Sequence, residues 1–320
     1  MSKIDIKQVL WDKELMNSRL EFEITNITHT IINTFRRVIL SNIPIYTFNN
    51  ITISENTSIF NNNYLKLRIS NMPVFGIHSD NPIYTPPKTV VKEEVSDLNE
   101  IDINVDENFN SNSLKLLTMY VDYINNTNEI ITVGTNDCKF YFAEKQISSP
   151  YPTNIPIIKL QPKQKIKMSA ITELGCEEIS SIYSAISIFA YKMLSEDKFL
   201  VMMESRGQLD EKKIFQYAYD NIKMMLDNFL QLIPDKEDLS GKLQMNNADH
   251  TLGNLISEGL QKHKKVKFGG YNAPHLLDKK IIFHYELTEK INIKEIMTDI
   301  ISEYNDIFYK INKLVQEKIN

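Results

Sequence analysis

FEITNITHTIINTFRRVIL, running from Phe22 to Leu40, changes its hydrophobic period part-way along. Up to Ile24 apolar and polar residues alternate, with Phe22 and Ile24 on one face, the pattern of a half-buried strand. From Ile27 the period becomes helical: Ile27, Ile31, Phe35, Val38 and Ile39 share one side of a 3.6-residue turn. Thr28 is placed to cap that helix. Asn42 and Pro44 are placed to stop it, since proline has no amide proton and constrains the residue before it. A strand is expected to feed one amphipathic helix whose apolar stripe needs a partner.

The same design returns near the other end. Aligning His29 with His250 sets FEITNITHTIIN (22–33) against LQMNNADHTLGN (243–254), with Asn26, His29, Thr30 and Asn33 recurring as Asn247, His250, Thr251 and Asn254. Phe22 and Ile24 become Leu243 and Met245, and the cap Thr28 becomes Asp249. The stripe Leu252, Leu255, Ile256 and Leu260 is again helical. Matched strand, cap and helix point to an internal repeat.

A second pair of elements completes each copy. FLVMME (Phe199–Glu204) precedes a turn at Gly207 and a helix over about 210–233, striped with Ile214, Ala218, Ile222, Met225, Phe229 and Ile233. IIFHYEL (Ile281–Leu287) precedes a helix over about 292–318, striped with Ile293, Ile296, Ile300, Tyr304, Ile307, Ile311 and Leu314. That last helix would be roughly 40 Å long. Two like units with unpaired apolar faces are expected to pack on each other.

With 320 residues and 42% hydrophobic content, the chain can bury two or three domain cores. A net charge of −5 argues against a free-standing nucleic-acid binder. Cys138 and Cys176 are too few for a disulfide framework or a four-cysteine zinc site, so a reducing compartment is the natural reading. No apolar run reaches the roughly 18–20 residues of a membrane span, and MSKIDIKQVLWDK lacks a signal-peptide layout. A soluble, intracellular protein is expected.

Between the repeats the character changes. Ile43–Ile53 turns at Pro44 and becomes strand-like, Tyr64–Val74 reads as extended, and residues 81–113 bring prolines and then a crowd of acids at 93–107. Beta-rich composition returns at 114–133, and Ile157–Ala170 reads as two strands around Pro162. The middle is thus an insertion in the first unit. Pro234–Gly241, charged and breaker-rich, is the expected linker.

Chemistry-bearing patterns are sparse. His29, His78, His250, His263, His275 and His284 show no metal-ligand spacing. DINVD (Asp102–Asp106) fails as a calcium loop, with Glu107 where glycine is needed and Ser113 where glutamate is needed. Neither a phosphate-cradling glycine loop nor a nucleophile in a recognisable setting is present. KHKKVK (Lys262–Lys267) reads as a solvated helix end or a phosphate contact. Arg36 and Arg37, adjacent in an otherwise apolar helix, are either solubilising charges or an interface-edge fork for carboxylates and carbonyls.

At these residues a resemblance becomes specific. NTFRRVILSNIP (Asn33–Pro44) is similar to the alpha-motif helix of the assembly subunits of cellular RNA polymerases: bacterial alpha, archaeal D and the third-largest subunit of the eukaryotic enzyme. ISENTS (Ile53–Ser58), LRISNMP (Leu67–Pro73) and ESRGQL (Glu204–Leu209) resemble further blocks of those subunits. DHTLGNLI (Asp249–Ile256), FGGYNAPH (Phe268–His275) and the closing helix resemble archaeal subunit L and the eukaryotic eleventh subunit. The resemblance spans nearly the whole chain as a fusion of two partners, a habit of large cytoplasmic DNA viruses. Many D-type subunits carry cysteine clusters for zinc or iron–sulfur in the insertion. Here Cys138 stands alone, and no cofactor or metal is expected.

The resemblance implies an α+β fold, with two alpha-motif dimerisation units forming an intrachain pseudodimer and a β-rich domain inserted in the first. The expected divisions are a D-type domain (1–44 and 161–233), the insertion (45–160), a linker (234–241) and an L-type domain (242–320). The implied role is a non-catalytic platform joining the largest and second-largest subunits of a DNA-directed RNA polymerase, with room for a small zinc-bearing subunit. DNA would be met only through the complex, and membranes not at all. A viral origin would place it in the host cytoplasm and open the virion to it. Ile31, Phe35, Val38, Ile39, Leu252, Leu255, Ile256, Ile300 and Ile307 are the expected dimerisation core, and Arg36 and Arg37 the expected large-subunit contact. Asn33, Pro44, Asp249, His250, Gly253, Asn254, Gly269, Tyr271, Pro274 and His275 carry the family motifs. The alternatives are a two-lobed scaffold outside transcription and, on Asp249, His250 and His275, a stand-alone enzyme.

Overall fold

Two units emerge from the chain's own contacts: residues 1–43 with 184–320, and residues 44–183. The structure, a computed structural model, describes residues 3–14, 17–84, 116–143, 145–246, 248–275 and 280–319. In order come β1 (Asp5–Lys13), β2 (Ser18–Thr25), α1 (His29–Ser41), β3 (Ile45–Asn56), α2 (Asn62–Ser70) and β4 (Leu117–Ile124). There follow β5 (Ile131–Gly134), β6 (Lys139–Phe142), β7 (Lys145–Ile147), β8 (Pro156–Leu160), β9 (Lys165–Gly175), β10 (Ile186–Ser195) and β11 (Lys198–Ser205). The last third holds α3 (Glu211–Gln231), β12 (Glu237–Asn246), α4 (His250–Lys262), β13 (Val266–Asn272), β14 (Lys280–Asn292) and α5 (Ile293–Lys318). The protein is α+β. Among the described residues no helix is long and apolar enough to cross a membrane.

The first unit contains the repeat. One antiparallel sheet runs β1-β2-β11-β10 and the other β12-β14-β13. In the first, Leu20, Phe22 and Ile24 of β2 and Phe199, Val201 and Met203 of β11 are buried, with Phe22 opposite Val201 and Ile24 opposite Phe199. In the second, Leu243 and Met245 of β12 and Ile281, Phe283, Tyr285 and Leu287 of β14 are buried. Alternation at period two puts these on one face of each sheet, and the helices cover them. Phe22 meets Phe215 of α3 at 5.8 Å between ring centroids, and Phe283 meets Phe229 of the same helix at 5.5 Å.

Across the repeat, α3 and α5 run antiparallel. Asn312 donates to Gln216 at 2.7 Å, Gln316 donates to the Lys212 carbonyl at 2.8 Å, and Tyr309 lies 6.2 Å from Tyr219. Glu211, fully buried at the start of α3, accepts from Trp11 Nε1 at 3.2 Å and from Ser18. A carboxylate in a first helical turn also meets the positive end of the helix dipole.

The second unit is built on a five-stranded sheet, β3-β9-β4-β6-β7, with β5 and β8 as a separate pair. Its core includes Phe48, Leu65, Ile69, Leu117, Met119, Phe140 and Leu160. Ala170 of β9 lies between Ile51 of β3 and Met119 of β4. This pairing draws residues 161–183 into the inserted unit, so the expected boundary at 160/161 moves to Tyr183/Ser184.

Three local expectations are corrected. The stretch 64–74, read as extended, forms α2 over Asn62–Ser70: the Asn61 side chain accepts from the Tyr64 amide, and Leu65 and Ile69 bury one helical face. The linker is shorter than 234–241, because Glu237 already pairs with Asn292 and Ser240 with Glu286. Thr28 occupies the N-cap of α1 but makes no side-chain cap bond there. The acidic run 93–107, the Asp102–Asp106 reading and Asn247 lie outside the described residues.

Candidate functional site

The expected core residues converge between the two copies of the repeat. Ile31, Phe35, Val38 and Ile39 of α1, Leu252, Leu255 and Ile256 of α4 and Ile300 of α5 are all buried. Phe35 is 0% exposed and joins the copies: its ring lies 5.5 Å from Phe215 of α3 and 5.2 Å from Phe308 of α5. Ile307 is a correction. It is only half-buried, and Phe308 and Ile311 fill the core beside it. Leu314 and Met225 are half-buried for the same reason, with Val315 and Leu226 turned inward.

Arg37 and Arg36 part company. Arg37 reaches from α1 to the start of α4, where Nε donates to Thr251 Oγ1 at 2.6 Å and Nη2 to Asp249 Oδ2 at 2.9 Å. Asp249 also caps α4, accepting from the amides of Thr251 at 2.9 Å and Leu252 at 3.4 Å. Burial pushes the Asp249 carboxyl up, but the hydrogen bonds from Arg37 and Thr251 outweigh it and leave the pKa lowered. Arg36 stays within its own copy, with Nε donating to Asn33 Oδ1 at 3.0 Å.

The recurring His and Asn residues prove to be a repeated side-chain cluster. Tyr191 of β10 meets His29 Nε2 at 2.8 Å and donates to Asn33 Oδ1 at 3.5 Å. Tyr271 of β13 meets His250 Nδ1 at 3.1 Å and donates to Asn254 Oδ1 at 3.1 Å. In each copy the histidine and asparagine, four residues apart on one helix face, hold a tyrosine from the adjoining sheet. Gly253 leaves room for this, since a Cβ there would meet the Tyr271 ring at 2.5 Å. Gly269 is buried against Leu260 and Pro44 is buried after α1, whereas Pro274 and His275 are exposed just past β13.

Some contributors carry no sequence signal. Glu258 of α4 sits with Thr28 of α1, Ile307, Leu314 and Tyr304 along a groove of about 1270 Å³. Thr28 Oγ1, Glu258 Oε2 and Tyr304 Oη are buried there, and none makes a hydrogen bond of ordinary geometry among the described residues. Gly259 lies where α4 packs tightly on α5: a Cβ would come within 2.4 Å of Ile300 Cγ2. Only a helix crossing makes that glycine matter, which is why spacing does not reveal it.

Two of the four lysines in the basic run 262–267 pair with neighbours, Lys262 with Glu258 and Lys267 with Glu286 at 2.5 Å. Cys138 does not fit the metal clusters implied for D-type subunits. Its thiol donates to the Gly134 carbonyl at 3.2 Å, and burial pushes its pKa up to about 12, away from a ligand thiolate. Among the described residues, no group of three or more His, Cys, Asp or Glu is arranged to hold a metal ion.

Two models of the RNA polymerase Rpb3/Rpb11 dimerisation domain match this chain, one over residues 21–226 and one over residues 240–313. The chain belongs to that family. The two matches divide at the repeat described above, so one polypeptide carries two such dimerisation domains. A putative DNA-directed RNA polymerase subunit of Acanthamoeba polyphaga mimivirus is 25% identical over 345 residues, covering 99% of this chain and 96% of that protein. The RPAC1 subunit of RNA polymerases I and III of Saccharomyces cerevisiae is 25% identical, over 61% of this chain and 59% of its own length. A probable RPAC2 subunit of those polymerases from Caenorhabditis elegans is 36% identical over 23% of this chain and 52% of its own. The protein is an assembly subunit of a multisubunit RNA polymerase, structural rather than catalytic, and its near-full-length viral relative agrees with a viral origin.

Proposed function

We propose that this chain is a one-piece platform on which the largest and second-largest polymerase subunits are joined. The observation that carries this is the fastening of two family-type copies within one polypeptide. Phe35 meets Phe308, Gln216 meets Asn312, and Arg37 meets Asp249. Such a unit presents one rigid surface with no second chain to recruit. The dimerisation core is the buried set from Ile31 to Ile300, with Phe308 in place of Ile307.

Arg37 is committed to Asp249 and Thr251, so Arg36, half-exposed on α1, is the residue we assign to a large subunit. A small zinc-bearing subunit would dock beside it, and a viral source would put assembly in the host cytoplasm. Arg36→Glu reverses a charge at that contact, and the lost charge-assisted bonds should weaken recruitment by about 2–5 kcal/mol. The measurement is co-purification of the large subunits with tagged wild-type and variant chains. Equal recovery of both large subunits by Arg36→Glu removes Arg36 from the interface. Failure of the wild-type chain to recover them removes the platform reading.

A further inference from the structure

The helix pair α1 and α4 is related by a pseudo-two-fold axis, which matches residue n of the first copy with n + 221 of the second: 28 with 249, 30 with 251 and 37 with 258. Across this axis Arg37 grips Asp249 and Thr251, the cap and second residue of α4. The matching contact on the other side belongs to Glu258, which faces Thr28 and Thr30 at the start of α1. Burial pushes the Glu258 carboxyl up, but Lys262 and the Thr30 and Thr28 hydroxyls outweigh it and leave it below the ordinary value. Glu258 and Thr28 also line the same groove, each with a side-chain oxygen buried there. Each helix thus sends one charged side chain to the start of the other, and the two charges are opposite.

This arrangement discriminates between partners. Two second copies pairing about a true two-fold axis would set Glu258 of each against Asp249 of the other, two carboxylates on either side. Two first copies would set Arg37 against Thr28, with no carboxylate to receive it. Only the unlike pairing matches the arginine to the acid and the glutamate to the hydroxyls. Lys262 pairs with Glu258 from one turn away on the same helix, so it is present in either pairing and does not discriminate.

We propose that residues 37 and 258, with the helix starts they face at 249 and 28, make the second copy of this chain pair with the first copy and not with the second copy of another chain. This goes beyond the platform reading and does not depend on which subunits the platform receives. It identifies a specificity determinant of the pairing surface that is separate from the apolar core.

The test rebuilds the forbidden contact inside the intact full-length chain. Thr28→Asp places before Glu258 the acidic helix start that Asp249 would present, and Thr28→Asn supplies an equally good cap without charge. By helix-dipole reasoning alone Asp should equal or exceed Asn at this position. The expected result is the reverse: a thermal midpoint roughly 2–4 °C lower for Thr28→Asp than for Thr28→Asn. That gap should close when Glu258→Gln is added, and should shrink in about 1 M salt. Thr28→Asp matching or exceeding Thr28→Asn overturns the inference, as does a gap that survives Glu258→Gln.

The other side gives an independent measurement. Arg37→Glu should melt below Arg37→Gln, and Asp249→Asn, which keeps the cap, should erase the difference. Equal midpoints for Arg37→Glu and Arg37→Gln overturn the role of residue 37. If Arg37→Glu does not fold, the comparison at residues 28 and 258 decides alone.

Discussion

Replacing Phe35 by alanine removes the ring that joins the copies. The side chain is 0% exposed and touches Phe215 at 5.5 Å and Phe308 at 5.2 Å, while Phe215 continues to Phe22 at 5.8 Å and Phe189 at 6.3 Å. Partners on α3 and α5, with Phe215 held in turn by two strands of one sheet, cannot all collapse into the gap, so the loss should lie near the usual range for a buried phenylalanine, about 3–5 kcal/mol. Against a domain stability of roughly 5–15 kcal/mol this is a large fraction. With a urea slope of about 2 kcal/mol/M, the midpoint should fall by roughly 1.5–2.5 M. The assay is built in: Trp11, the chain's single tryptophan, bonds to Glu211 at the start of α3 and reports on the first unit by fluorescence. Phe35→Leu keeps most of the volume and should lose about 1.5 kcal/mol or less. A midpoint for Phe35→Ala within about 0.5 M of wild type would refute the view that this ring couples the copies.

Cleaving the connection between α3 and β12, at a protease site placed over Asp235–Lys236, should leave the two pieces co-eluting in gel filtration; adding Ile300→Asp, a carboxylate in the buried face of α5, should part or unfold them. Pieces that separate on cleavage alone would show that the connection, and not the helix layer, holds the copies together. Gly259→Ala should destabilise the chain by about 1–3 kcal/mol, because the new Cβ meets Ile300 Cγ2, with thermal unfolding as the measurement. A neutral or stabilising effect would mean that α4 and α5 adjust freely. The lowered pKa of Asp249 makes its contribution acid-sensitive: it is present above the ordinary 3.8 and lost as pH falls through the depressed folded value. Between about pH 6 and about pH 3, Asp249→Asn should therefore flatten the decline of the thermal midpoint, and an unchanged slope would remove Asp249 from the acid response.

The sequence by itself determined the repeat and its local form. A strand face at Phe22 and Ile24 and a helix stripe through Phe35 are patterns within about 20 neighbouring positions, where backbone periodicity and capping act, and the same His, Thr and Asn residues recur in the second copy. It also carried the family resemblance. The tertiary structure decided what those patterns face. A stripe spaced by threes and fours leaves two flanks, and only the packing of α3 and α1 against α5 turned Phe308 inward and left Ile307 in a groove. The alternation at Tyr64–Ile69 was compatible with a strand until burial of Leu65 and Ile69 chose the helix. Arg37 found its carboxylate 212 residues away, and Glu258 gained its meaning only from the axis that places it before Thr28. Charges on a helix surface are indifferent to direction in sequence; the partner helix supplies the direction.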